Sequence, residues 1–117
     1  MAIIVSDKAA LVTSQAGMRL IAQQKLLNNG DAERLRVFIS ESYAESALEA
    51  QPVEARLAEL QAIGRLRVFQ VLAADKHRVV VLMQAQRDEA LYMVELAVEE
   101  DYPHKITEYS HKPLNAS

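Results

Sequence analysis

The hydrophobic period of this chain changes once, at Gly64, and that change limits the folds open to it. Before Gly64 the apolar residues recur at the spacing of one helix face; after it they alternate, as on a pleated strand. Helices first and strands afterwards predict an α+β chain, with helices segregated to one side of an antiparallel sheet. The 117 residues suit a single domain over 1–117, with its core at about 7–110 and a tail at 111–117.

Three helices are predicted in the first half. Asp7 to Asn28 contains no proline and is rich in Ala, Leu, Gln and Met, all good helix formers. Ser6 is its expected N-cap and Asn28-Asn29-Gly30 its end. Gly17 falls mid-helix, where it costs about 1 kcal/mol relative to Ala; close packing against another element would account for it. The second helix starts at the N-cap Asp31, with Leu35, Phe38 and Ile39 on its buried stripe and Ser42 and Tyr43 extending it. Ser42 to Gln51 is expected as a loop or short extended piece. Pro52 suits the first position of the third helix, whose stripe is Val53, Leu57 and Leu60, and Gly64 suits its left-handed stop.

Four β-type runs follow: Arg65 to Ala73, Arg78 to Gln86, Ala90 to Val98 and His104 to Ser110. The first two connections are too short for a parallel crossover, so the sheet is predicted to be an antiparallel meander. Alternation places Val79, Val81, Met83 and Ala85 of the second run, and Tyr92, Val94, Leu96 and Val98 of the third, on the core face. Val80, Leu82, Leu91 and Met93 are then left on the outer face. Each such side chain contributes roughly 1.5–3 kcal/mol when fully buried. A homodimer through this outer face is therefore predicted.

Composition excludes several function classes. Without cysteine the chain has no disulfide, thiolate metal site or cysteine nucleophile, which fits a reducing, cytoplasmic setting. Its net charge is −3 and its Lys and Arg residues are scattered, so no nucleic-acid partner is expected. No apolar run approaches the ~20 residues of a membrane span, so no membrane partner is expected. The start, Met1 to Asp7, has no basic region and does not read as a signal peptide. Asn115-Ala-Ser117 matches a glycosylation acceptor by chance.

The run Asn29-Gly-Asp-Ala-Glu-Arg-Leu-Arg-Val-Phe-Ile39, then Ala47-Leu48, Pro52-Val-Glu-Ala-Arg-Leu57 and Tyr102-Pro-His-Lys-Ile106, is similar to a known scaffold. It resembles the nuclear transport factor 2-like superfamily, the ketosteroid-isomerase-like or cystatin-like α+β cone. Within it, the nearest resemblance is to the small domain ahead of β-lactamase-type serine hydrolases and tail-specific proteases. The likeness covers about residues 15–110 and rests on scaffold motifs: a helix cap, a helix start and the start of a strand. It implies three helices on a strongly curved four-stranded sheet, with a cone-like interior. The hydrolase motifs are missing from this chain, so that activity is not implied.

The isomerase branch of that superfamily works with a carboxylate base and a tyrosine donor inside the cone. Tyr92 is an inward phenol, but Glu95 alternates outward and Glu108 has no assigned parity, so no catalytic residue is predicted. His104, Glu108 and His111 lack convincing ligand spacing, and His77 reads as a solvated turn residue; no metal and no cofactor are expected. The leading expectation is a non-catalytic binding or accessory module. Phe38, Tyr43, Val81, Met83, Tyr92 and Val94 would line a cavity for a small apolar ligand, or simply fill the core. An isomerase or hydratase and a structural dimerisation domain are the alternatives.

Overall fold

The structure is a computed structural model that describes residues 6–114, with side-chain surroundings given for residues 9–114. The N-terminal start and the Asn115 triplet therefore lie outside the described residues, as does the position preceding Ser6. Five helices and a four-stranded antiparallel sheet of order β1-β2-β3-β4 make up the described part, an α+β fold with an open meander.

The first predicted helix is two. α1 spans Ser6–Val12, α2 spans Gln15–Asn28, and Ser14 between them is the N-cap of α2, accepting from the Gly17 N–H at 3.0 Å. Helix propensity alone would have continued across the break. The β1–β2 turn competes for it: the Ser14 hydroxyl donates to the Asp75 carbonyl at 2.6 Å and the Ala16 N–H to the Lys76 carbonyl at 3.1 Å. Long-range hydrogen bonds thus replace those that a continuous helix would have made. Gly17 faces the backbone of α1, as the close-packing reading of that residue requires.

α3 spans Ala32–Ser42, capped by the Asp31 side chain, which accepts from the Arg34 N–H. Leu35, Ile39 and Ser42 are its buried residues, while Phe38 is only partly buried. The segment expected as a loop contains a further helix, α4, over Glu45–Ala50. Its residues Glu-Ser-Ala-Leu-Glu-Ala are mostly good helix formers, and the chain before it is extended. There Tyr43 bridges Ile106 in parallel, and the Ala44 N–H donates to the Ile106 carbonyl at 2.7 Å. α5 spans Val53–Ile63; Pro52 precedes it as N-cap, and Gly64 ends it at φ 78°.

β1 spans Leu66–Ala74, β2 Arg78–Ala85, β3 Leu91–Val98 and β4 Ile106–Pro113. β2 alternates as its sequence predicts, with Val79, Val81, Met83 and Ala85 buried. In β3, Val94, Leu96 and Val98 are buried and Tyr92 partly so. These residues, with Leu11, Leu20, Leu35, Ile39 and Leu60 from the helices, form one core between the helical layer and one face of the sheet. β1 carries Phe69 and Leu72 at two register shifts against β2, and both side chains are about half exposed.

Candidate functional site

None of the clefts described below is lined by all six residues predicted to enclose a cavity. Val81, Met83 and Val94 are at most 1 % exposed and belong to the packed core. Phe38 borders a separate surface groove with Leu26 and Val37. Tyr43 and Tyr92 instead take part in a polar cluster within the helix–sheet layer.

That cluster begins on α2. Gln23 is fully buried, and its Oε1 accepts a 2.6 Å hydrogen bond from the Tyr43 hydroxyl. Its Nε2 is buried with no hydrogen-bond partner among the described residues. The Arg56 guanidinium lies over the Tyr43 ring, 4.6 Å from its centroid. Burial pushes the Tyr43 phenol well above the ordinary tyrosine range, although Arg56 and Gln23 oppose that shift.

β4 supplies the other half. Tyr109 pairs with Leu96 and His111 with Val94, so both side chains share the core face of the sheet. The Tyr109 hydroxyl and the His111 Nδ1 are 3.3 Å apart, and the His111 ring meets Tyr92 edge-on at 6.3 Å. Burial raises the Tyr109 phenol strongly and, against an opposing pull from Glu59, lowers the His111 imidazole. Glu108 pairs with Ala97 on the outer face and meets Arg78 at 2.7 Å; Glu95 lies on that face too, 3.7 Å from Arg78. Glu95 and Glu108, the two carboxylates weighed from sequence, therefore lie on the opposite face from Tyr92, while Glu59 of α5 is the carboxylate that acts on Tyr109 and His111.

The histidines also sit differently from their sequence reading. His104 precedes β4, with φ 59°, and its ring stacks on His77 at 5.6 Å. His77 is partly buried rather than solvated, and its Nε2 has no partner among the described residues. No group of three His, Asp or Glu residues there is disposed to hold a metal. No described helix is long and apolar enough to cross a membrane.

Two clefts flank this layer. An apolar one of about 410 Å³ lies where α1 and α2 meet β1 and β2, walled by Leu11, Leu20, Ile21, Leu66, Val68 and Met83. Its polar wall is a relay. The Leu66 N–H donates to Asn28 Oδ1, which also accepts from Gln24 Nε2, and Asn28 Nδ2 donates back to the Leu66 carbonyl. The backbone donor cannot flip, so it fixes both amide orientations. The second cleft, about 440 Å³, lies between α4 and β4 and is more polar, with Arg56, Ser46, Ser110, Glu95 and Glu108 among its walls.

On the outer sheet face Leu82 lies opposite Met93 in register, Val80 opposite Glu95 and Leu91 opposite Gln84. Val80, Leu82, Leu91 and Met93 are each partly buried. No known family profile, curated protein or solved structure matches the chain. Gln23, Arg56 and Tyr109 are the polar residues that sequence reasoning missed, and His111, weighed there only as a metal ligand, joins them in the cluster. Pairing the last strand with β3 and continuing it past Ser110 to Pro113 places Tyr109 and His111 on one face by alternation.

Proposed function

We propose that this protein is a non-catalytic binding domain that holds a small apolar molecule between its N-terminal helices and its sheet. The observation that carries the reading is the apolar cleft of about 410 Å³ beside Met83. That volume is in the range of small-molecule sites, which are mostly apolar with a few fixed polar groups. Leu11, Ile21 and Val68 supply the apolar wall, and the Asn28–Gln24 relay supplies rigid polar groups. The ligand space thus sits to one side of the residues first expected to enclose it, of which only Met83 borders it. We read the architecture as a nuclear transport factor 2-like cone. A helical layer against one face of a four-stranded meander supports that reading. The lack of cysteine fits a cytoplasmic setting.

The test is a titration with an environment-sensitive dye such as anilinonaphthalene sulfonate, on the native chain and on Val68→Trp, which fills the cleft. Saturable fluorescence in the native chain, lost in a variant with unchanged circular dichroism, is the expected result. No saturable binding, or equal binding by both proteins, rejects the reading.

A second reading is homodimerisation through the outer sheet face. It is favoured by the Leu82–Met93 pair with Val80 and Leu91 diagonal to it, an apolar cluster bordered by Gln70, Gln84, Glu95 and Lys112. An apolar centre with a polar rim is the usual anatomy of an interface. Light scattering at tens of micromolar decides: a dimer that becomes a folded monomer on Leu82→Glu with Met93→Lys supports it, and a monomeric native chain rejects it.

A further inference from the structure

We propose that the cleft between α4 and β4 is a separate binding site for a small zwitterion of the amino-acid type, its carboxylate on Arg56 and its ammonium toward Glu95 and Glu108. The argument is one of unmatched charge. Arg56 is only 8 % exposed, yet it makes no ion pair among the described residues. Arg34, Arg36, Arg78 and Arg87 each have a carboxylate at ion-pair distance, and Arg19, Arg65 and Arg67, which have none, are more open to solvent than Arg56. The Arg56 contacts are neutral: its Nε donates to the Gln51 carbonyl at 2.9 Å and its Nη2 to the Ala47 carbonyl at 2.6 Å, while Glu59, one turn along α5, accepts from the Gln51 side chain at 3.0 Å instead of pairing with Arg56. With the Tyr43 ring beneath it, the guanidinium caps the end of α4, where the carbonyl dipoles favour a cation. Those contacts hold it in place, but dipoles and a ring face do not cancel a unit charge, and a buried unpaired charge is costly.

The opposite sign is left over across the same cleft. Glu95 and Glu108 both line it and share one guanidinium, Arg78, at 3.7 and 2.7 Å. Two carboxylates against one cation leave one negative charge. A simple anion would meet Arg56 but be repelled by this pair; a simple cation would meet the pair but be repelled by Arg56. A ligand carrying both charges satisfies both ends. The Ser46 and Ser110 hydroxyls line the space between and make no hydrogen bond among the described residues, so they are free to bind it. The site is distinct from the apolar cleft beside Met83 and does not depend on it.

Amide chemical shifts of the nitrogen-labelled full chain, titrated with γ-aminobutyrate, butyrate and butylamine, test the assignment. The expected result is saturable shifts at Ser46, Gln51, Thr107 and Ser110 with γ-aminobutyrate, and binding of the two singly charged probes weaker by up to roughly fivefold. Arg56→Gln abolishes binding. Because that variant also loses the α4 cap, Glu108→Gln provides an independent arm on an exposed side chain. It leaves Glu95 balanced by Arg78, so it should weaken γ-aminobutyrate and strengthen butyrate. No shifts at tens of millimolar, equal response to all three probes, or an unchanged ranking in Glu108→Gln would overturn the proposal.

Discussion

Gly17 and Leu11 touch through their backbones: a Cβ built on Gly17 would lie 2.2 Å from the Leu11 carbonyl oxygen. The obstruction is main chain, so it cannot be relieved by a rotamer change. Gly17→Ala would gain about 1 kcal/mol of helix propensity. Forcing a methyl into close-packed structure costs typically about 1–3 kcal/mol, and more against backbone. We expect net destabilisation on the order of 1–2 kcal/mol, read as a lower urea midpoint. An unchanged or higher midpoint would show that α1 and α2 do not pack this closely.

Tyr43→Phe keeps the ring under Arg56 but removes the hydroxyl that donates to Gln23. A buried amide oxygen left without its donor costs about 1–3 kcal/mol. Tyr102→Phe is the control, because Tyr102 is 89 % exposed and should change stability by less than about 0.5 kcal/mol. Equal melting temperatures for the two variants would contradict the buried hydrogen bond.

His111 gives a pH dependence of definite sign. Burial depresses its folded-state pKa, so between the ordinary histidine value of about 6.5 and that lower value the unfolded chain binds more protons. The native protein should therefore lose stability as pH falls below about 6.5. Its stability difference from His111→Gln should change over the same interval and be flat above it. Denaturation curves at several pH values check this; a constant difference would mean the imidazole is freely solvated.

Tyr43, which is buried, and Tyr109, which is partly so, act at the alkaline end. Tyr43 and Tyr109 are raised by burial, so above the ordinary value of about 10 the unfolded chain loses protons that the folded chain keeps. Stability should fall there, and phenolate absorbance should show two of the four tyrosines ionising only as the fold is lost. All four ionising together near the free value, with the fold intact, would contradict their placement.

The faces of β2 and β3 were legible in the sequence because alternation is a local property. Val79, Val81, Met83 and Ala85 are buried where their parity puts them. The break at Ser14 was not legible, because the Asp75 and Lys76 carbonyls that help fix it lie some sixty residues away. α4 had a signal, a run of helix formers, that was outweighed by the irregular pattern around it. The polar cluster was hidden for a third reason. Its members come from α2, the end of α3, α5, β3 and β4, and the register shift between Ala97 and Val98 sets which β4 side chains join it. Arg56 falls at the i+3 position of the Val53, Leu57 and Leu60 stripe, so helical spacing puts it on the buried face despite its charge.

The displaced register at Phe69 and Leu72 bears on how copies of this chain can aggregate. A fibril of stacked sheets needs two compatible edges, each offering an unbroken row of backbone donors and acceptors. The β1 edge is interrupted at both residues, and the β4 edge is already occupied at Ile106 by Tyr43. Edge-to-edge growth meets a mismatch at each step, so the two half-exposed apolar side chains of β1 sit on a strand poorly suited to template another.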